Sequence, residues 1–318
     1  MKPLINLFKY GQANLYKLWW FGSKKNGGRR RKCKQCGKQW RISLNQTKKL
    51  RKSAEQWILD RSTLRRIEIK TDVHFSTKWR QAQKYADHIP EPLENLRKNF
   101  SKSSKILLLD GKYVNILGES FCVHIAYDTG IGVVDFWIDD TENKTAYALI
   151  LRRLKERQYE PICVVSDDHS SIGSLLFEEK IPHQLCIFHL LRTLRRMLKG
   201  NNKFFEEIPP QYKIMYSRMK GIFKTKNIEN IDIRINKLRK LQIYWQTPKE
   251  QYVLDWFWKI VPNAIMCLSF EEKVPRTSNL LENLNGQIEQ RLKTFRGVKS
   301  EESLNKILKI LFFLRNFK

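Results

Sequence analysis

Carboxylates at the ends of two apolar strands are where this chain could do chemistry. Ile106 to Leu109 is a fully apolar run of strand length that stops at Asp110-Gly111, and Pro161 to Ser166 stops in the same way at Asp167-Asp168. Acids gathered at buried strand ends present oxygen atoms, which suit a hard divalent cation, Mg²⁺ or Mn²⁺. A third acid, Glu282, lies in a helical pattern opened by two candidate caps, Thr277 and Ser278. Leu280, Leu281, Leu284 and Ile288 give that helix an inner face that would carry Glu282 towards the strands, with the amides Asn279, Asn283, Asn285 and Gln287 around it to orient the acid. Cys186 and His189, three apart, sit where a further strand passes into a basic helix. Their spacing is half of a metal site, and the competing reading is a packed cysteine with a hydrogen-bonded histidine. Of the adjacent acids, Asp167 follows the strand immediately and is the expected ligand, while Asp168 directly precedes His169-Ser170-Ser171 and is placed to cap the next helix.

The elements that must position these residues are short strands and helices in alternation. Phe121 to Tyr127 and Val133 to Ile138 are β-rich and joined by the turn tripeptide Asp128-Thr129-Gly130. Three antiparallel strands would thus precede a helix and a parallel return strand, which is the ribonuclease-H-like order. The expected class is α/β.

Four blocks now carry a resemblance. Leu108-Leu109-Asp110-Gly111, Val165-Ser166-Asp167-Asp168-His169, Gln184-Leu185-Cys186-Ile187-Phe188-His189 and Thr277-Ser278-Asn279-Leu280-Leu281-Glu282-Asn283-Leu284-Asn285 resemble the signature blocks of DDE transposases of the Mutator superfamily and its bacterial insertion-sequence relatives. The resemblance implies that Asp110, Asp167 and Glu282 are the catalytic acids, holding two Mg²⁺ or Mn²⁺ ions about 4 Å apart, with Cys186, His189 and Asn279 beside the site. It implies hydrolysis of a phosphodiester at the element end, then transfer of the exposed 3′ hydroxyl to target DNA without a covalent enzyme intermediate. The partners would be double-stranded terminal inverted repeats and target DNA, bound by a homodimer or higher oligomer. A bacterial or archaeal cytoplasm, with nucleoid association, is the implied setting. Two rivals share the motifs: a ribonuclease-H-like nuclease that cuts without joining, and a catalytically silent or domesticated DNA-binding descendant.

Charge supports a polyanionic partner. Lys and Arg number 60 against 32 Asp and Glu, a net +28, and the first hundred residues hold more than three basic side chains for each acidic one. Residues 105–199 are close to neutral, as expected where carboxylates collect while the flanks grip phosphate. Residues 1–45 read as a basic, zinc-ribbon-like segment in which Arg29, Arg30 and Arg31 suit phosphate contact. Only Cys33 and Cys36 are at hand there, against the four ligands of a structural Zn²⁺, so the ribbon reads as degenerate, with half of a zinc site.

Residues 46–90 read as a helix-turn-helix-like DNA-binding domain. Leu50, Ala54, Trp57 and Ile58 share one face, Ser62 and Ser76 are candidate caps, and Lys78, Arg80 and Lys84 ride the third helix into a DNA groove. The remaining division is 105–199 for the first part of the core, 200–275 for a helical insertion, and 276–318 for core completion with the Glu282 helix, ending in an amphipathic tail over the core. Trp245, Trp256 and Trp258 are core candidates within the insertion. No secretory leader or membrane-spanning run is expected, and six thinly spread cysteines fit a reducing compartment.

Overall fold

Why the chain folds as it does is clearest where its apolar residues change period. Continuous apolar runs of strand length give way to helical spacing after β-rich segments, and polar caps or prolines mark the helix starts. The computed structural model describes residues 18–23, 29–33, 39–42, 44–58, 62–96, 99–294, 298 and 300–316. In chain order the elements are β1 (Leu18–Ser23), β2 (Arg29–Cys33), β3 (Gln39–Ile42), α1 (Leu44–Ile58), α2 (Leu64–Thr71), α3 (Phe75–Ala86), α4 (Pro92–Leu96), β4 (Ile106–Ile116), β5 (Glu119–Asp128), β6 (Gly132–Asp139), α5 (Lys144–Glu156) and β7 (Cys163–Ser166). There follow α6 (Ser170–Glu178), β8 (His183–Leu185), α7 (Ile187–Lys199), α8 (Pro210–Phe223), α9 (Glu229–Gln242), α10 (Pro248–Ala264), α11 (Asn279–Thr294) and α12 (Glu301–Asn316). They cluster in two compact units, one of residues 1–95, 116–119 and 287–318, the other of 96–115 and 120–286.

In the first unit β1, β2 and β3 form an antiparallel sheet in that order. Arg29, Arg30, Arg31 and Cys33 lie along β2, whereas Cys36 falls outside the described residues. The predicted face of α1 is buried: Leu50, Ala54, Trp57 and Ile58 all point inward, and Trp57 meets Trp79 of α3 edge-on at 5.1 Å. The caps fall one or two residues from the expected serines. Thr63 Oγ1 accepts the Arg66 N–H at 3.2 Å to open α2, and His74 Nδ1 accepts the Ser76 N–H at 3.3 Å to open α3.

One basic residue departs from the expected open face. Lys78 is buried, its Nζ donating to Ser53 Oγ of α1 at 3.4 Å, while Arg80 and Lys84 are exposed. An ammonium so placed serves the packing of α3 on α1. The terminal helix α12 is amphipathic as expected, but it packs against α1 and α3 in this unit, burying Leu304, Ile307, Leu308 and Leu311, with Lys309 paired to Glu91 at 2.8 Å. Its apolar stripe said that it covers something; only the tertiary structure says what.

The second unit is built on a five-stranded sheet of order β6-β5-β4-β7-β8. β5 and β6 are antiparallel, and β4, β7 and β8 run parallel, so the expected three strands, helix and parallel return strand are all in place. Asp128 fastens the start of β4 to the β5–β6 turn. Its carboxylate accepts from Ser103 Oγ at 2.8 Å and from the backbone N–H groups of Ser104, Lys105, Gly130 and Ile131 at 3.3, 3.1, 2.7 and 3.0 Å. The Tyr159 hydroxyl adds a further bond at 2.8 Å. Each buried donor stranded without an acceptor costs ~1–3 kcal/mol. Asp128→Ala should therefore lower the stability of the chain by about 4 kcal/mol or more, read as a shift in the urea midpoint at unchanged slope; a loss under about 1 kcal/mol would show that water replaces the carboxylate without penalty.

Helices α7, α8, α9 and α10 share an apolar core of their own that includes Leu194, Met219, Phe223 and Phe257. Prolines start two of these helices: Pro210 opens α8, and Pro248 opens α10 behind a Thr247–Glu250 capping box. Trp245 is buried in this core, and Trp256 and Trp258 pack partly buried against it. Gln184 of β8 ties the block to the sheet, donating to the Ala264 carbonyl at 2.9 Å and accepting the Cys267 N–H at 2.6 Å.

Candidate active site

Register alone sets two of the acids side by side. β4 and β7 pair in parallel with Leu108 opposite Val165, so two residues further on, on the same face, come Asp110 and Asp167, on strands spaced about 4.8 Å apart. Asp110 is pushed up to about 7, first by burial and then by the charge of Asp167. A buried acid made costlier to ionise by a neighbouring carboxylate, in a pair whose only donor atoms are oxygens, fits a divalent cation.

The third acid is delivered by a returning chain. Cys186 caps α7 at the end of β8 and donates its N–H to the Ser166 carbonyl at 2.7 Å. The next residue, Ile187, donates its N–H to the Arg276 carbonyl at 2.9 Å, and Arg276 Nη1 reaches the Phe223 carbonyl at 3.2 Å. Those bonds hold the start of α11 beside α7. Ser278 is buried there, and its carbonyl accepts the N–H groups of Leu281 and Glu282 at 2.8 and 2.9 Å, beginning the helix. The Ser278 hydroxyl lies 3.3 Å from Cys186 Sγ and 3.2 Å from Glu282 Oε1. One turn into α7, His189 Nε2 is 3.9 Å from Glu282 Oε1.

Asn285, one turn after Glu282, closes the arrangement by donating from Nδ2 to Asp110 Oδ2 at 2.6 Å. His189 is held up at about 8, chiefly by its bond with Cys186 and against its burial, with Asp167 and Glu282 adding to the effect. The same imidazole lowers the cost of ionising Asp110. His189 therefore stands within electrostatic reach of all three acids, which come from separate segments of the chain. Burial pushes the Cys186 thiol up, but bonds from His189 and Ser278 outweigh it and leave the thiol below its usual range.

The residues beside the acids differ in part from those expected. Asn279 is exposed at the first position of α11, and Asn285 is the amide that reaches an acid. The N-cap of α6 is His169, whose N–H is accepted by Asp167 Oδ1 at 3.2 Å. Asp168 instead hydrogen-bonds Trp256.

Glu142 was not singled out in the sequence. Its carboxylate accepts the Tyr147 hydroxyl at 2.6 Å and lies 4.0 Å from His169 Nδ1. A Cβ on Gly111 would stand 2.6 Å from the Glu142 carboxyl carbon, so the glycine beside Asp110 makes room for a fourth acid. Its signal in the sequence was slight: an acid in the loop between a strand and a helix cap.

A buried histidine under the site gives a pH-dependent stability. His183 Nε2 and Ser166 Oγ are 2.8 Å apart, and burial holds the imidazole down at about 4. The unfolded chain takes up that proton near pH 6.5. With the folded value depressed, the contribution is whole above about pH 6.5 and is lost as pH falls towards 4. Between pH 7 and pH 5 this residue should cost about 2 kcal/mol, and His183→Gln should flatten that part of the urea-midpoint profile; an unchanged slope in the variant would discount the histidine.

The model of the family described as "Transposase, Mutator family" matches residues 85–316. The chain belongs to the Mutator family of transposases. Among its relatives is the transposase for insertion sequence element IS905 of Lactococcus lactis subsp. lactis, 24% identical over 239 residues, a match covering 70% of this chain and 56% of that protein. Another is the transposase for insertion sequence element IS256 in transposon Tn4001 of Staphylococcus aureus, 25% identical over 237 residues, covering 69% of this chain and 57% of that protein. This Mutator-family chain thus spans little more than half the length of these relatives. Among solved structures, the HTLV-2 integrase catalytic core domain in complex with magnesium aligns over 38% of this chain and 86% of that one, at 13% identity and a TM-score of 0.23. Among the described residues no helix is long and apolar enough to cross a membrane.

Proposed function

We propose that the chain is a DDE transposase on a ribonuclease-H-like core, which cleaves DNA at the inverted-repeat ends of an insertion sequence and joins the freed ends to target DNA. The observation that carries the reading is that His189 stands within electrostatic reach of Asp110, Asp167 and Glu282, while Asn285, one turn after Glu282, bonds Asp110. Family membership and the sheet order β6-β5-β4-β7-β8 support it.

The acids Asp110, Asp167 and Glu282 would hold Mg²⁺ or Mn²⁺. A divalent cation bound there supplies charge stabilisation and an activated oxygen nucleophile for in-line displacement at phosphorus. The chain's own residues prepare that site. Asn285 fixes the rotamer of Asp110, Ser278 and His189 orient Glu282, and the Asp167 carboxylate is held by the His169 N–H. A protonated His189 offsets the crowded negative charge in the metal-free protein.

The DNA grip is assigned to the basic N-terminal region. Arg29, Arg30 and Arg31 on the β1–β3 sheet and the exposed Arg80 and Lys84 of α3 would meet phosphate, as a ribbon-like and a helix-turn-helix-like element respectively. Two element ends imply at least a homodimer, acting on the nucleoid in a cytoplasm. A strand-transfer assay with Mg²⁺ and a duplex carrying the element end tests the whole. A transposase yields cleaved and joined products. Cleavage without joining would indicate a nuclease, and neither product would indicate a silent DNA-binding protein.

A further inference from the structure

Cys186 Sγ, His189 and a Glu282 carboxylate oxygen lie within 4.8 Å of one another. Sequence supplied the first two as half a metal site; the fold supplies the third, from the start of α11. The sulfur is embedded in donors: the Ser278 N–H at 3.4 Å, its hydroxyl at 3.3 Å, and the His189 backbone N–H. Groups so arranged favour thiolate, the form that binds metal. No acid other than Glu282 belongs to this group of three, and the set of one sulfur, one imidazole nitrogen and one carboxylate oxygen is that of a borderline-soft ion, not of Mg²⁺.

Tetrahedral zinc holds such atoms at about 2.0–2.3 Å, which places the ligands roughly 3.3–3.8 Å from one another. The pair His189 Nε2 and Glu282 Oε1, at 3.9 Å, is already near that spacing. Three protein ligands leave one position open.

We infer that Cys186, His189 and Glu282 form a second, thiophilic cation site, with Zn²⁺ as its occupant, that shares Glu282 with the Mg²⁺ site. Occupation would turn Glu282 away from Asp110 and Asp167 and so hold the catalytic acids apart. That inhibitory consequence rests on the transposase reading; the site itself does not.

Cobalt reports on it directly. The full chain carrying Cys33→Ser and Cys36→Ser, which silences the other candidate thiols, would be titrated with Co²⁺. A thiolate-to-cobalt charge-transfer band with the strong visible bands of a tetrahedral ion is expected, saturating at one ion per chain and displaced by Zn²⁺. Cys186→Ser should abolish the charge-transfer band, and His189→Gln and Glu282→Gln should each weaken affinity at least about tenfold. Circular dichroism checks each fold, and Glu282→Gln, at a half-exposed position, keeps the test alive should the buried Cys186 variant misfold.

A missing band, a band that survives Cys186→Ser, or undiminished affinity in a folded Glu282→Gln protein overturns the site. Added Zn²⁺ should also suppress Mg²⁺-dependent cleavage, reversibly on chelation. Cleavage that Zn²⁺ leaves untouched while the band is present overturns the shared carboxylate. Absence of any Mg²⁺-dependent cleavage overturns the transposase reading and leaves the cobalt result to decide the site.

Discussion

Asp110→Asn is expected to abolish Mg²⁺-dependent cleavage at the element end while leaving binding of that end intact, and Glu282→Gln to do the same. Removing one preorganised group that stabilises a transition state costs about 10²–10³-fold in rate. Losing a ligand to the ion itself should exceed that. Both replacements are isosteric and leave Arg29–Arg31, Arg80 and Lys84 unaltered, so affinity for the duplex should change little.

The Asp110 variant carries a second signature. Its carboxyl is held at about 7 in the fold, against about 3.9 in an unfolded chain. With the folded value raised, the stabilising contribution is present only below about pH 3.9 and is lost as pH climbs through about 7. At pH 8 and without metal, Asp110→Asn should thus be more stable than the parent by roughly 2–4 kcal/mol, the pattern of a site tuned for activity against stability. Urea unfolding in a chelator reads the second effect and gel assays of cleavage and of DNA binding read the first. Retained cleavage, or lost binding in a folded variant, would falsify this division of labour.

Asp167→Asn should also eliminate cleavage, whereas Asp168→Asn should keep most of it. The two residues are adjacent, yet the register of β4 on β7 aligns Asp167, not Asp168, with Asp110. Asp167 also raises Asp110 and His189 through its charge. An amide at 167 could still accept the His169 N–H, so the turn should survive while the ligand is lost. Asp168 bonds Trp256, a contact that the carbonyl of an asparagine can also accept. Parallel cleavage assays rank the two, and the opposite order would move the ligand to Asp168.

Much of this site could be read from local pattern. An apolar run followed by an acid announces a buried strand that carries a carboxylate, and that reasoning reached Asp110 and Asp167 without knowledge of which strands pair. Asp167 does follow the end of β7, but β4 runs on through Asp110 to Ile116, because the chain continues there into a hairpin. The face of α1 was equally legible, because Leu50, Ala54, Trp57 and Ile58 follow the helical period and are buried. What escaped was decided by distant partners. Four amides surround Glu282 in the sequence, and only the approach of α11 to β4 singles out Asn285 over Asn279. Lys78 looked like its basic neighbours until α1 covered it. The stripe on α12 fixed that it would be buried, but periodicity carries no address, and it joins α1 and α3.

Gln184 bears on how far the molecule can be trimmed. A side chain that reaches from strand β8 to the end of α10 on both its donor and acceptor sides makes the helical block part of the sheet's own wiring. Excising that block to obtain a minimal catalytic fragment would strand a fully buried amide two residues before Cys186. It would also remove Phe223, the anchor of Arg276. The helices between Asp167 and Glu282 are therefore a jig without which the third acid has no fixed place to arrive.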